Sequence, residues 1–272
     1  MVQLRGVISG YRPWTLDEIA FLKANYPHKE NKTLSNEMGR SEVALRTKAH
    51  RFSIKRGDWR SNRPDLTPSP SLSYIIGVVF GDGSPNMVRR KTGRTNYNID
   101  LFVTDKDFVD AFNEALYQVL GRRYAVTPYG NSYQVRGQSK VLYFLLKDRN
   151  LDSLRKFIDP FPTDFIRGFA DSEGSICLYR SNGYKATRID LPNTNSQVVV
   201  FIKSLLQLLN IRAHFHKRPI GKKSVKRDGS VIIPKKPMFR LDICDKASIK
   251  IFSEKIGFSI RRKQDKLMEA VA

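Results

Sequence analysis

The sequence predicts an α+β chain in which a pseudo-two-fold pair of αββαββα halves follows a small three-helix unit, and three observations carry that expectation. Tyr74-Ile-Ile-Gly-Val-Val-Phe-Gly-Asp-Gly83 and Phe165-Ile-Arg-Gly-Phe-Ala-Asp-Ser-Glu-Gly174 repeat one pattern about ninety positions apart. Each copy is followed by the same succession of period-two and period-3.6 segments. Residues 57–71 are rich in Pro, Ser and Arg without any period, so they read as a linker whose arginines could track phosphates. The predicted division is 1–56 for the three-helix unit, 57–71 for the linker, and 72–158 and 159–272 for the halves.

Thr15 and Glu18 form a capping box that starts the first helix, with Leu16, Ile19, Ala20, Leu22 and Tyr26 expected in a small core. A second helix, about 32–38, stops at Gly39, and Ser41 caps the third. On the third helix Ala44, Leu45, Ala49 and Phe52 share one face, while Arg46, Thr47, His50 and Arg51 share the opposite one. A basic polar face on the last of three helices is what a major-groove reader requires.

In each repeated segment small residues recur four apart, Gly77 with Gly81 and Gly168 with Ser172, so two such helices could pack with their backbones nearly touching. An acid follows, Asp82 in one copy and Glu173 in the other, then a glycine (Gly83, Gly174) able to end the helix in a left-handed turn. Packing would bring both acids and several orphan helix carbonyls to one spot that attracts a divalent cation. After the first copy the predicted elements are a hairpin (84–90, 97–103), a helix at 106–120, strands at 123–127 and 132–136, and a helix from Lys140. After the second they are 175–179 and 187–191 around a Ser-Asn-Gly turn, a helix at 196–209, strands at 212–218 and 238–243, a helix from Asp245, and a short helix at 261–271. The segment 217–236 reads as a long cationic hairpin turning at Asp228-Gly229.

The chain carries 48 Lys+Arg against 26 Asp+Glu, a formal charge of +22, so a polyanion is the expected partner. No apolar run suits a membrane span and no signal-peptide core is present, which leads to the expectation of a soluble intracellular protein. The two cysteines, Cys177 and Cys244, lack Cys-x-x-Cys spacing and exclude a cysteine zinc site. No P-loop, zinc cluster or nucleophile elbow is present.

The paired motifs resemble those of single-chain LAGLIDADG homing endonucleases over roughly residues 72–270, with Asp82-Gly83 and Glu173-Gly174 at the acid and glycine positions. The resemblance implies saddle-like antiparallel sheets lying on double-stranded DNA and a monomer acting on a long, partly asymmetric target. It also implies Mg2+ as cofactor, with Mn2+ as a substitute, held by Asp82 and Glu173 with Gly81 and Ser172 beside them. By position after the second strand it implies Lys106 as a basic catalytic residue; Thr194 stands where the second copy would carry a lysine, and Asn193 is the neighbour that could contribute. The stretch 34–52 with Trp14 resembles the helix-turn-helix portion of Myb/SANT-like domains. A transcription regulator without cleavage, or an intron maturase, would use the same scaffold; retention of both acids favours cleavage over the regulator.

Alternation along the strands turns Gln134 and Arg136, Arg240 and Asp242, and Arg212, His214, His216 and Arg218 away from the core. With Arg89, Arg94, Asn98 and Arg188, these are the candidate base- and phosphate-contacting residues, and Lys222 and Lys223 in the cationic hairpin are candidate phosphate clamps.

Overall fold

Thr15 Oγ1 accepts from the Glu18 N–H at 3.1 Å and Glu18 reaches back to the Thr15 N–H at 3.0 Å, so α1 (Leu16–Asn25) begins with the capping box legible in the sequence. The computed structural model describes residues 12–27, 29–54, 64–181, 184–218, 220, 224–225, 231–232 and 235–272. It comprises two compact units, 1–62 and 63–272. In the first, α2 (Asn31–Met38) ends at Gly39 in the left-handed region (φ 57°) and Ser41 caps α3 (Glu42–Arg51). Leu22, Tyr26, Leu34, Leu45 and Ala49 make its core, with Trp14, Met38 and Ile54 packed on it.

Three of the residues expected on the core faces are exposed. Leu16 and Ala20 are exposed because, at 3.6 residues per turn, they stand about 120° and 160° around the helix from Leu22. Phe52 follows α3 as its C-cap and lies open under the ammonium groups of Lys23 and Lys48, each 5.1 Å from the ring centroid. Arg40, buried, closes the unit: it bonds the carbonyls of Arg12 and Pro13, pairs with Glu18 at 2.7 Å, and lies 4.5 Å over the Trp14 ring.

The second unit repeats one order of elements. The first half runs α4 (Pro70–Val79), β1 (Ser84–Arg89), β2 (Thr95–Val103), α5 (Lys106–Leu120), β3 (Thr127–Tyr129), β4 (Ser132–Gln138), α6 (Lys140–Leu146) and α7 (Leu151–Ile158). The second runs α8 (Pro162–Glu173), β5 (Ser175–Ser181), β6 (Tyr184–Asn193), α9 (Ser196–Leu208), β7 (His214–Arg218), a small β8–β9 pair (Ser224–Val225, Val231–Ile232), β10 (Met238–Ile243), α10 (Lys246–Lys255) and α11 (Arg261–Val271). The antiparallel sheets, β1-β2-β4-β3 and β5-β6-β10-β7, have matching order. Ile99, Leu101 and Val135 of one and Ile189, Leu191 and Leu241 of the other face a single core that continues through α4 and α8.

Both third strands start later than predicted, β3 also running on to Tyr129, and the late start has one physical reason. The backbone of Tyr124 is bonded twice by the Asn113 side chain (2.7 and 3.0 Å), and the Arg212 N–H donates to Ser248 Oγ at 2.8 Å. Those groups are therefore satisfied outside the ladder, and 123–126 and 212–213 stay irregular. A helix not predicted, α7, follows α6 after a break at Arg149 and is capped by Asn150. The linker residues 57–63, Asn182 and Gly183 of the Ser-Asn-Gly turn, Lys222, Lys223 and the Asp228-Gly229 turn lie outside the described residues.

Candidate active site

The small residues permit α4 and α8 to meet along their backbones. A Cβ on Gly77 would lie 2.1 Å from the Phe165 carbonyl oxygen, one on Gly168 2.3 Å from that of Tyr74, and one on Gly81 2.3 Å from Ser172 Cβ. Ser172 Oγ donates to the Gly168 carbonyl at 3.1 Å and reaches that of Val78 at 3.5 Å, so the hydroxyl ties the two helices together.

Gly83 and Gly174 terminate the motifs by space rather than by handedness. Gly174 is extended (φ −72°, ψ 149°), and Gly83 is not among the positive-φ glycines. A Cβ would lie 3.0 Å from the Val78 oxygen at Gly83 and 2.5 Å from the Ala170 oxygen at Gly174. The expected left-handed stop is thus corrected: the chain folds back over its own helix carbonyl so tightly that a Cβ is excluded at Gly174 and crowded at Gly83. The copies also differ, since Asp82 lies in the turn beyond α4 whereas Glu173 is the last residue of α8.

Side chains from three other elements reach the carbonyls at this double helix end. Asn193 Nδ2 donates to the Phe80 oxygen at 3.3 Å, Arg149 Nη2 to the Gly83 oxygen at 2.9 Å, and Lys263 Nζ to the Ala170 and Asp171 oxygens at 3.0 and 2.6 Å. Asp82 is exposed at its surface and Glu173 is half-buried, and the partial desolvation of each raises its carboxyl pKa, with the charge of Asp82 pushing Glu173 further up. Lys263 opposes the shift at both acids and Arg149 opposes it at Glu173. Burial lowers Lys263 itself to about 8. Asp171, buried behind the pair, accepts from the Tyr74 hydroxyl and the Ser259 N–H, each at 2.8 Å, and so ties the loop before α11 to α8.

The donor set suits a hard divalent cation. Two carboxylates whose ionisation burial opposes, beside helix carbonyls, gain most from an added positive charge. Among the described residues no group of three or more His, Cys, Asp or Glu could hold a metal ion, so further ligands would come from backbone oxygens, water or substrate. Ser172, with its hydroxyl bonded across to α4, serves the helix contact.

Lys106 does not join this centre. It is exposed at the start of α5 and pairs with Asp110 at 2.5 Å one turn on, which raises its pKa. Lys263 stands in the place expected for Lys106. Arg261-Arg262-Lys263 reads as a solvated basic helix start, yet Arg262 grips Asp105 with two bonds of 2.7 Å and the Arg261 N–H is taken by Asp107. That anchorage turns the third residue inward, to 6% exposure. The legible signal was that Lys263 shares a face with Leu267, the buried apolar residue of α11, at i, i+4 spacing.

On the polar sheet faces Arg89, Arg136, His214, His216 and Arg218 are exposed, as is Arg94 in the β1–β2 turn, with Gln134, Arg188 and Arg240 partly so. Arg46, Thr47, His50 and Arg51 are exposed on α3, and Arg212 precedes β7 near Asp245, 3.8 Å away. Two expected surface residues are corrected. Asn98 is 1% exposed, walled in between Asn86 and Gln138 on the flanking strands, and Asp242, though on the polar face, is buried beneath Arg240 and His216. Asp100 pairs with Arg136 at 2.9 Å in the first half, whereas in the second Asp190 lies opposite another acid, Asp242, and pairs with Arg188 at 2.7 Å.

Residues 160–257 match the model of the LAGLIDADG-like domain. The chain is also 34% identical over 256 residues to the uncharacterised protein MJ0398 of Methanocaldococcus jannaschii, spanning 89% of each. The chain belongs to the LAGLIDADG family. A second relative, the homing endonuclease I-ApeI of Aeropyrum pernix, is 27% identical to this LAGLIDADG protein over 218 residues, 73% of this chain and 86% of its own. A solved structure of variants of the homing endonuclease I-DmoI overlies 69% of this chain and 96% of its own with a TM-score of 0.49 at 19% identity.

Proposed function

We propose that this LAGLIDADG protein is a site-specific double-strand DNA endonuclease that hydrolyses one phosphodiester in each strand with divalent ions held by Asp82 and Glu173, magnesium serving and manganese substituting. The observation that carries the reading is the convergence of both motif acids at the packed ends of α4 and α8, with Lys263 reaching the same centre. When bound, a divalent cation supplies charge stabilisation at the phosphate and a more acidic water. Asp82 and Glu173 orient and retain it, and their raised pKa values mean that protons compete for the same oxygens. Lys263, below its pKa of about 8, offsets negative charge gathering as a phosphate enters.

The relative named as a homing endonuclease supports a DNA partner for this chain. A formal charge of +22 favours it too, as do the exposed arginines of the two polar sheet faces. The exposed face of α3 would add major-groove contacts in the manner of a helix-turn-helix unit, and a single chain with two halves would act as a monomer. Both acids being present weighs against a regulator that binds without cutting.

The test is digestion of a randomised double-stranded DNA library by wild type, Asp82→Asn and Glu173→Gln, with magnesium or EDTA, followed by sequencing of the ends. Discrete magnesium-dependent ends lost in both variants are expected, and they supply the target site. Retention of specific DNA without ends, equal in all three proteins, would overturn the reading in favour of a regulator.

A further inference from the structure

Arg149 has φ 47°, one of three described non-glycine residues in the left-handed region, where an arginine has no local preference to be. It lies between α6 and α7, its own N–H bonded to the Leu146 carbonyl at 3.1 Å, before Asn150 caps the next helix. The strained turn aims its side chain at the end of α4, where Nη2 donates to the carbonyl of the motif glycine Gly83 at 2.9 Å. Its charge reaches Glu173. Among the described residues it forms no ion pair with a carboxylate, so most of its five N–H donors remain for another acceptor, and it lines an open cleft with Asp152, Asn195 and Gln197.

The other half supplies the contrast. There the equivalent segment leads into α11 and delivers Lys263, the third residue of that helix, to the carbonyls of Ala170 and Asp171. The third residue of α7 is Ser153, whose hydroxyl turns back to the Asn150 carbonyl at 2.9 Å and not toward the centre. Each acid is therefore approached by a basic group from the opposite half: Asp82 by Lys263, and Glu173 by Arg149 as well as Lys263.

We infer that Arg149 serves one of the two strand cuts, holding the Gly83 carbonyl, placing its charge near Glu173 and presenting its free donors to the scissile phosphate on that side, while Lys263 serves the other strand. This rests on the nuclease reading, with a strand-asymmetric consequence of its own. The helix position that carries a lysine in the second half carries Ser153 in the first, so the strained turn at Arg149 supplies the missing cation from a different place.

A supercoiled plasmid carrying the site recovered from the library, and a linear copy labelled on either strand, distinguish the outcomes. Arg149→Ala should slow the cut of one strand by about 100-fold, the scale for losing one charge-stabilising donor, so that nicked circles accumulate, and leave the other strand unchanged. Arg149→Gly, which relaxes the backbone at φ 47°, should show the same one-strand defect in protein whose thermal melt shows it folded, and Arg149→Lys should restore part of the rate. Equal slowing of both strands, or a glycine variant as fast as wild type, would overturn the inference while leaving the nuclease intact. If wild type cuts neither strand, both readings fall together.

Discussion

Single side chains at this centre are understood through what surrounds them. Lys263 is an acid-base probe of its own burial: its pKa is about 8 in the folded chain against 10.5 for an ordinary lysine. Between those values the unfolded chain binds the extra proton, so this group makes stability rise as pH increases from about 8 to 10.5 and disfavours the fold below 8. Urea unfolding in EDTA at pH 7.5 and pH 10.5 should therefore show a gain with pH in wild type, at most about 3 kcal/mol at about 1.4 kcal/mol per pKa unit, that is absent in Lys263→Met. The same pH slope in both proteins would mean that the lysine is not buried in solution. Residue chemistry also explains why Lys106 stays away from the two acids. Lys106 satisfies a positional analogy, but Asp110 lies one helical turn away and claims its charge, whereas Arg262 takes Asp105 and leaves Lys263 to the carbonyls of Ala170 and Asp171 at the motif end.

Helices α4 and α8 are the elements on which everything else depends, because the acids are brought together by backbone contact and not by a loop. Gly168→Ala places a methyl 2.3 Å from the Tyr74 carbonyl oxygen, an atom held within α4 that cannot yield as a side-chain tip would. A loss of about 3 kcal/mol or more is expected on overpacking grounds, with the acids drawn apart and cleavage abolished. Ser172→Ala removes only the hydroxyl bonds and should cost about 1 kcal/mol. Thermal melts of the two variants compare them directly, and equal melting temperatures would refute the close approach of the two backbones. Small residues four apart were legible because they define one helix face. The turn geometry after them was not, since Gly83 and Gly174 look like ordinary helix stops until the carbonyls they cover are known. Strand ends escaped for a similar reason: the side chains that bond Tyr124 and Arg212 come from positions 11 and 36 residues away.

Over the whole molecule, excess positive charge and two units set the expected mode of binding. Removing residues 1–62 should weaken affinity for the recovered target and flatten its salt dependence, by about 0.9 in the log–log slope for each phosphate that α3 no longer neutralises. Filter binding between low and moderate salt measures it, and an unchanged slope would remove the first unit from the footprint. The amino-acid sequence by itself determined the duplicated order of elements, the pairing of two small-residue helices, the acid that ends each of them and the basic character of the polar strand faces. Each of these is written in local spacing: helix faces, strand alternation, and a repeat that registers one half on the other. Only the tertiary structure decided which cations reach the acids, which polar residues of the sheets are buried, and that the motif glycines are dictated by close approach. Those outcomes depend on which distant segments compete for the same charge or carbonyl, as Arg149 and Lys263 do here, and no local pattern encodes the result of that competition.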